Sequence, residues 1–154
     1  MIVCIENYNT KAYSISYPVA ERLFCSNLIF IPIAIDGSLM AIKKDPIKIK
    51  SMLYTQTHQH IITLNDIQTA GQYHEAGLNV ILEGRFDQGI GQLIHQFWPT
   101  TDIITILICK EEFYKQPPSM PIDCIIDANG LSDYTLTQII SKRILKIQHA
   151  LHKN

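Results

Sequence analysis

Basic residues are nearly missing from the middle of this chain. From Ser51 to Cys109 the only Lys or Arg is Arg85, set against Asp66, Glu75, Glu83, Asp87 and Asp102. A surface that tracks nucleic-acid phosphates needs cations, so this stretch excludes one. The formal net charge of the whole chain is −1, and no nucleic-acid partner is expected. Long apolar runs are also missing, and none reaches the roughly 18–20 residues that span a bilayer. The start, Met1-Ile2-Val3-Cys4, meets Glu6 and Asn7 at once and does not read as a secretory signal. No C-x-x-C occurs among Cys4, Cys25, Cys109 and Cys124. These thiols read as buried and unionised, in a reducing, cytoplasmic compartment.

What is present suits one α/β domain over residues 1–154, with 47% hydrophobic and 18% charged residues to build a core. "MIVCIE" and "KAYSISY" flank "NYNT" and predict an opening hairpin. "PVAERLFCS" predicts a short helix with Pro18 in its first turn. "NLIFIPIAI" and "SLMAIKK" flank Asp36-Gly37 and predict a second hairpin, its first strand either at a sheet edge or bulged at Pro32. "DPIKIKSMLYTQTHQ" predicts a helix with Asp45 as N-cap and Pro46 next. "HIITLND" reads as a strand, and "IQTAGQYHEAG" as a short helix stopped by Gly77. "LNVILEG" is a strand, "GIGQLIHQFW" a helix, and "DIITILICK" a strand covered on both faces. "QPPSMP" reads as a loop and "IDCIIDANG" as a strand. The last helix, 132–153, shows Leu136, Ile140, Ile144, Ile147 and Leu151 at helical spacing, with Ser132 or Asp133 as cap. The expected class is α/β, a mixed sheet opened by hairpins with helices packed on it.

No constellation rises to a catalytic motif. "GRFDQGIG", Gly84 to Gly91, sits between strand and helix but lacks the Lys-Ser/Thr of a phosphate loop and misses G-x-G-x-x-G. His58, His60 and His74 lack an acidic or Cys companion, so no metal is expected, and no cofactor. Asp36 and Asp127 each close an apolar strand, but each opens a turn sequence, "DG" and "DANG", which favours local hydrogen bonding. No G-x-S-x-G is found.

Pro18 to about Ala76 resembles the N-terminal domain of the assembly ATPases of type II secretion and type IV pilus systems. "YPVAERLF", "FIPIAIDGSLMAIKKDP", "KSMLYTQT" and "HIITLNDIQTAGQYHEA" follow that pattern in order, with Ala41 one place early and no Walker motif after. The hairpin opening and the basic "KRILKIQHALHKN" also look like the cytoplasmic domains of bitopic inner-membrane platform proteins, which have a reduced actin-like (RNase-H-like) fold. Either resemblance implies a non-enzymatic docking domain at the cytoplasmic face of a bacterial inner membrane. Its partners would be an assembly ATPase and platform subunits, with the membrane reached only through a segment beyond Asn154, and a homodimer stays open. Contact residues would be Ile31, Ile33 and Ile35 on the Pro-bearing strand, by strand addition, with Arg85 and Phe86. The alternative is a small nucleotide-dependent enzyme or phosphotransfer protein using Asp36 or Asp127 with Gly89-Ile90-Gly91, or a cyclic-dinucleotide sensor.

Overall fold

The computed structural model describes residues 1–7, 14–35, 56–84, 88–98, 103–109 and 121–151. They form β1 (Ile2–Asn7), α1 (Ser16–Phe24), β2 (Phe30–Ala34), α2 (Gln56–Glu75), β3 (Asn79–Gly84), α3 (Gln88–Phe97), β4 (Ile103–Cys109), β5 (Cys124–Asp127) and α4 (Asp133–Leu151). The five strands make one sheet in the order β2-β3-β1-β4-β5. Every pairing is parallel.

Alternation along β1 sorts the core into two layers. Val3 and Ile5 face one side, with Ile81, Ile104 and Ile106, and meet Val19, Ala20 and Leu23 of α1 and Leu136, Ile140 and Ile144 of α4. Ile2 and Cys4 face the other side, with Val80 and Leu82, and meet Ile67 and Ala70 of α2 and Ile94 of α3. A sheet covered on both faces has no solvated side, so its central strands are near-continuous apolar runs. β4 is buried from Ile104 to Cys109 and bears out the reading of "DIITILICK".

Three other readings hold. Pro32 lies in β2, an edge strand, where a missing N–H is tolerated. Gly77, at φ +82°, ends α2, with the Leu78 N–H donating to the Tyr73 carbonyl at 3.0 Å and the Gly77 N–H to that of His74 at 2.9 Å. Ser132 caps α4, its hydroxyl accepting from the Thr135 N–H at 3.2 Å.

Others are corrected. The opening hairpin is not formed, because β1 is central and both its edges are taken by β3 and β4. Ser16 and Tyr17 instead begin α1. The sheet is therefore parallel among the described residues rather than mixed, which also removes the basis for an actin-like fold. "HIITLND" is not a strand but part of the 20-residue α2, where Thr63, Ile67 and Ala70 are buried at helical spacing. Its β-branched residues suggest a strand, and packing against the sheet overrides them. Gly89-Ile90-Gly91 is helical, in the first turns of α3, so it is no loop. Cys4 and Cys109 are buried and Cys124 half-buried, but Cys25, just past α1, is exposed. The Asp36-Gly37 hairpin, "SLMAIKK", the Asp45-Pro46 helix start and all of "QPPSMP" but Pro121 lie outside the described residues. No helix among the described residues is long and apolar enough to cross a membrane.

Candidate functional site

In open parallel sheets, ligands bind beyond the carboxyl ends of the strands where the chain reverses its direction of travel across the sheet. Here that place is the end of β1. From it the chain passes over β3 to the edge at β2, whereas β4 lies on its other side. Alternation puts Glu83, next to Ile5 in register, on the α1 face of the sheet, and Glu6 on the opposite face. Both acids are buried.

The Glu83 carboxylate lies at the N-terminus of α1. One oxygen, Oε1, accepts from the Asn7 amide at 2.8 Å and from the Ile15 N–H at 3.0 Å. The other, Oε2, accepts from the Ser14 hydroxyl at 2.5 Å and from the Ser16 N–H at 2.8 Å. Because the Ser14 proton goes to Glu83, the Ser16 hydroxyl, 2.7 Å away, is the donor to Ser14. The helix needs this outside help. Its N-cap, Ile15, has no side chain able to cap, and the first-turn N–H groups of a helix lack intrahelical partners. Pro18, in that turn, removes one of those groups by having no N–H. Glu83 satisfies two more, with its negative charge at the positive end of the helix dipole.

A phosphate-binding loop, G-x-x-x-x-G-K-[ST], joins a strand to the helix that follows it, and here β1 is followed by α1. Aligned to that pattern, the sequence from Asn7 to Ser14 reads N-Y-N-T-K-A-Y-S. Only Ser14 matches. Asn7 and Ala12 replace the glycines, and Tyr13 replaces the lysine.

Solved structures share this fold. One is a provisionally named kinase from Chloroflexus aurantiacus, with TM-score 0.54 and 14% identity over 94% of this chain and 96% of that one. A thymidylate kinase from Candida albicans is similar at TM-score 0.49 and 13% identity, over 96% and 92%. No family model matches the chain, and neither does any curated protein. By the first of these likenesses the chain has a kinase-like fold. The likeness at TM-score 0.54 is to a kinase, which overturns the pilus and secretion resemblance and the non-enzymatic docking function and lends no support to the inner-membrane placement. The short apolar stretches that suggested them are those of any chain alternating strand and helix.

The residues singled out from sequence are not brought together. Ile31 and Ile33 are half-buried on the β2 edge, and Ile35 is a core residue at 1% exposure. Arg85 and Phe86, like Asp36, lie outside the described residues. Asp127 serves its turn, as its sequence suggests: Oδ1 accepts the Asn129 N–H at 2.9 Å, with Gly130 following at φ +68°. His74 sits in the last turn of α2. Asn7, Ser14 and Glu83 were missed. The rule that picks out Asp36 and Asp127, an acid closing an apolar strand, applies equally to "VCIE" and "NVILE".

Proposed function

We propose that this chain is a small nucleotide-dependent phosphotransferase that holds the phosphates of a nucleotide beyond the ends of β1 and β3. The observation that supports this most is the contact at 2.5 Å between the Ser14 hydroxyl and the Glu83 carboxylate, at the helix that follows β1. In P-loop enzymes a loop Ser or Thr and an acid from a nearby strand hold magnesium, which neutralises charge on the transferring phosphoryl group. Two hard oxygen donors suit that ion, and Ser14 and Glu83 are the residues that would hold it here.

Tyr13 departs from the pattern. It is uncharged near neutral pH, and the cation of the frame is Lys11, two places earlier. The phosphates are therefore held more weakly than in a P-loop kinase, and transfer is slower. Tyr13 also favours a second reading, a protein that binds nucleotide without transferring phosphate.

Calorimetric titration with ATP, with and without magnesium, tests the first part, and ADP formation tests the second. Saturable binding that strengthens with magnesium, and loses that gain in Ser14→Ala, is the expected result. Binding without ADP formation selects the second reading. No binding of any nucleoside triphosphate refutes both.

A further inference from the structure

Helices that connect parallel strands run back against them, so α1, α2 and α3 all end at the amino end of the sheet, opposite the candidate site. Four of the seven large apolar side chains exposed among the described residues lie at that end. They are Phe24 in the last turn of α1, Ile29 just before β2, Tyr73 in the last turn of α2 and Phe97 at the end of α3. Trp98 packs the last two helices together, with its Cζ2 3.4 Å from the place of a Cβ on Gly71. Exposed apolar residues scattered singly need no explanation, whereas a group at one end marks an interaction surface.

Charge divides the two helix layers. α1 and α4 carry Arg22, Lys142, Arg143 and Lys146 against Glu21 and Asp133, whereas α2 and α3 carry Asp66 and Glu75 and no Lys or Arg. The scarcity of cations in the middle of the chain thus becomes a difference between the faces of the sheet. In the last turns of the helices, Arg22 lies on one face and Glu75 on the other. α1 and α2 cover the same strands, β2 and β3, from opposite sides.

We infer that the amino end of the sheet is the interface of a homodimer. The two copies meet end to end about a twofold axis in the plane of the sheet and at right angles to its strands. That rotation exchanges the faces and keeps the strand order. The end of α1 therefore meets that of the other copy's α2, with Phe24 against the partner's Tyr73 and Arg22 against the partner's Glu75. Ile29 and Phe97 widen the apolar contact, and twofold symmetry makes every contact occur twice. An axis normal to the sheet would instead set the cations of α1 and α4 against those of the other copy, which like-charge repulsion disfavours. The chain itself supplies the partner that matches its divided charge. The dimer leaves the carboxyl ends of the strands open, so the inference stands apart from the proposed nucleotide site.

Sedimentation equilibrium of the full chain tests it. At micromolar concentrations wild type should give a mass of twice 17.5 kDa, and the dimer should weaken as salt is raised. Arg22→Glu and Glu75→Arg should each weaken the dimer about tenfold or more, and the double variant should return to within about threefold of wild type. Phe24→Asp should also weaken it. Phe24 and Glu75 are exposed, so their replacement leaves the core intact, and circular dichroism and urea midpoints establish that each variant is folded. A monomeric wild type overturns the inference. So does a dimer that Phe24→Asp and both charge reversals leave unchanged, or a double variant that recovers nothing the single ones lose.

Discussion

Glu83→Gln offers a sharp test of the hydrogen-bond arrangement, because it keeps the shape of the side chain and exchanges one acceptor oxygen for an NH2 group. Oε1 serves Asn7 and Ile15, whereas Oε2 serves Ser14 and Ser16. Whichever oxygen becomes nitrogen, one backbone N–H then faces another donor. The Ser14 hydroxyl can turn to accept, and the Asn7 amide can flip, but neither backbone N–H can adapt. One buried N–H left unpaired costs about 1–3 kcal/mol, and the surviving bonds weaken by about 1 kcal/mol in total when the acceptor loses its charge. Loss of the favourable helix-dipole interaction adds about 0.3–1 kcal/mol. Burying a neutral amide is cheaper than burying a carboxylate, which returns part of this. The net expectation is a destabilisation of about 2–3 kcal/mol. Urea unfolding measures it: with an m-value of about 1–3 kcal/mol per M, the midpoint falls by about 1 M or more at unchanged m. A loss below about 0.5 kcal/mol, the usual range for surface substitutions, would mean that the N–H groups of α1 are not held by Glu83.

Other expectations concern positions away from the candidate site. Burial, and then the charge of Glu6, push the Cys4 thiol from 9.0 up to about 12. The folded protein keeps this thiol neutral, so its contribution is complete below pH 9.0 and is lost as pH rises towards about 12. Stability should fall above pH 9 by up to about 1.4 kcal/mol per pH unit from this group, a slope missing in Cys4→Val. With a thiol reagent under native conditions, exposed Cys25 should react first and Cys4 only on unfolding; fast native labelling of Cys4 would refute its burial. Two Gly-to-Ala substitutions should have opposite signs in urea melts. Gly77→Ala forces a side chain into φ +82° and should cost about 1–2 kcal/mol. Gly71→Ala places a Cβ 3.4 Å from Trp98 Cζ2, an ordinary contact, and should gain up to about 1 kcal/mol from helix propensity.

The sequence by itself determined the local elements whose signals need no partner. The covered strand "DIITILICK", the stop at Gly77, a cap at Ser132 or Asp133 and the stripe on α4 depend on residues within one or two turns of each other. Pro32 could be assigned to an edge or a bulge because proline removes a ladder donor wherever the strand lies, and the sheet order selects the edge. Tertiary structure decided the rest. Whether β1 turns back into a hairpin depends on what lies beside it, and β3 and β4, far along the chain, take both its edges. "HIITLND" became helix because Thr63, Ile67 and Ala70 fit the sheet at helical spacing. The candidate site was least legible of all. Glu83 lies 67 to 76 residues from the donors that surround it, and only the sheet order puts the end of β3 beside the start of α1. Single residues that meet only after folding leave no spacing to read, which is why an acid at the end of an apolar run looked like a strand terminus and no more.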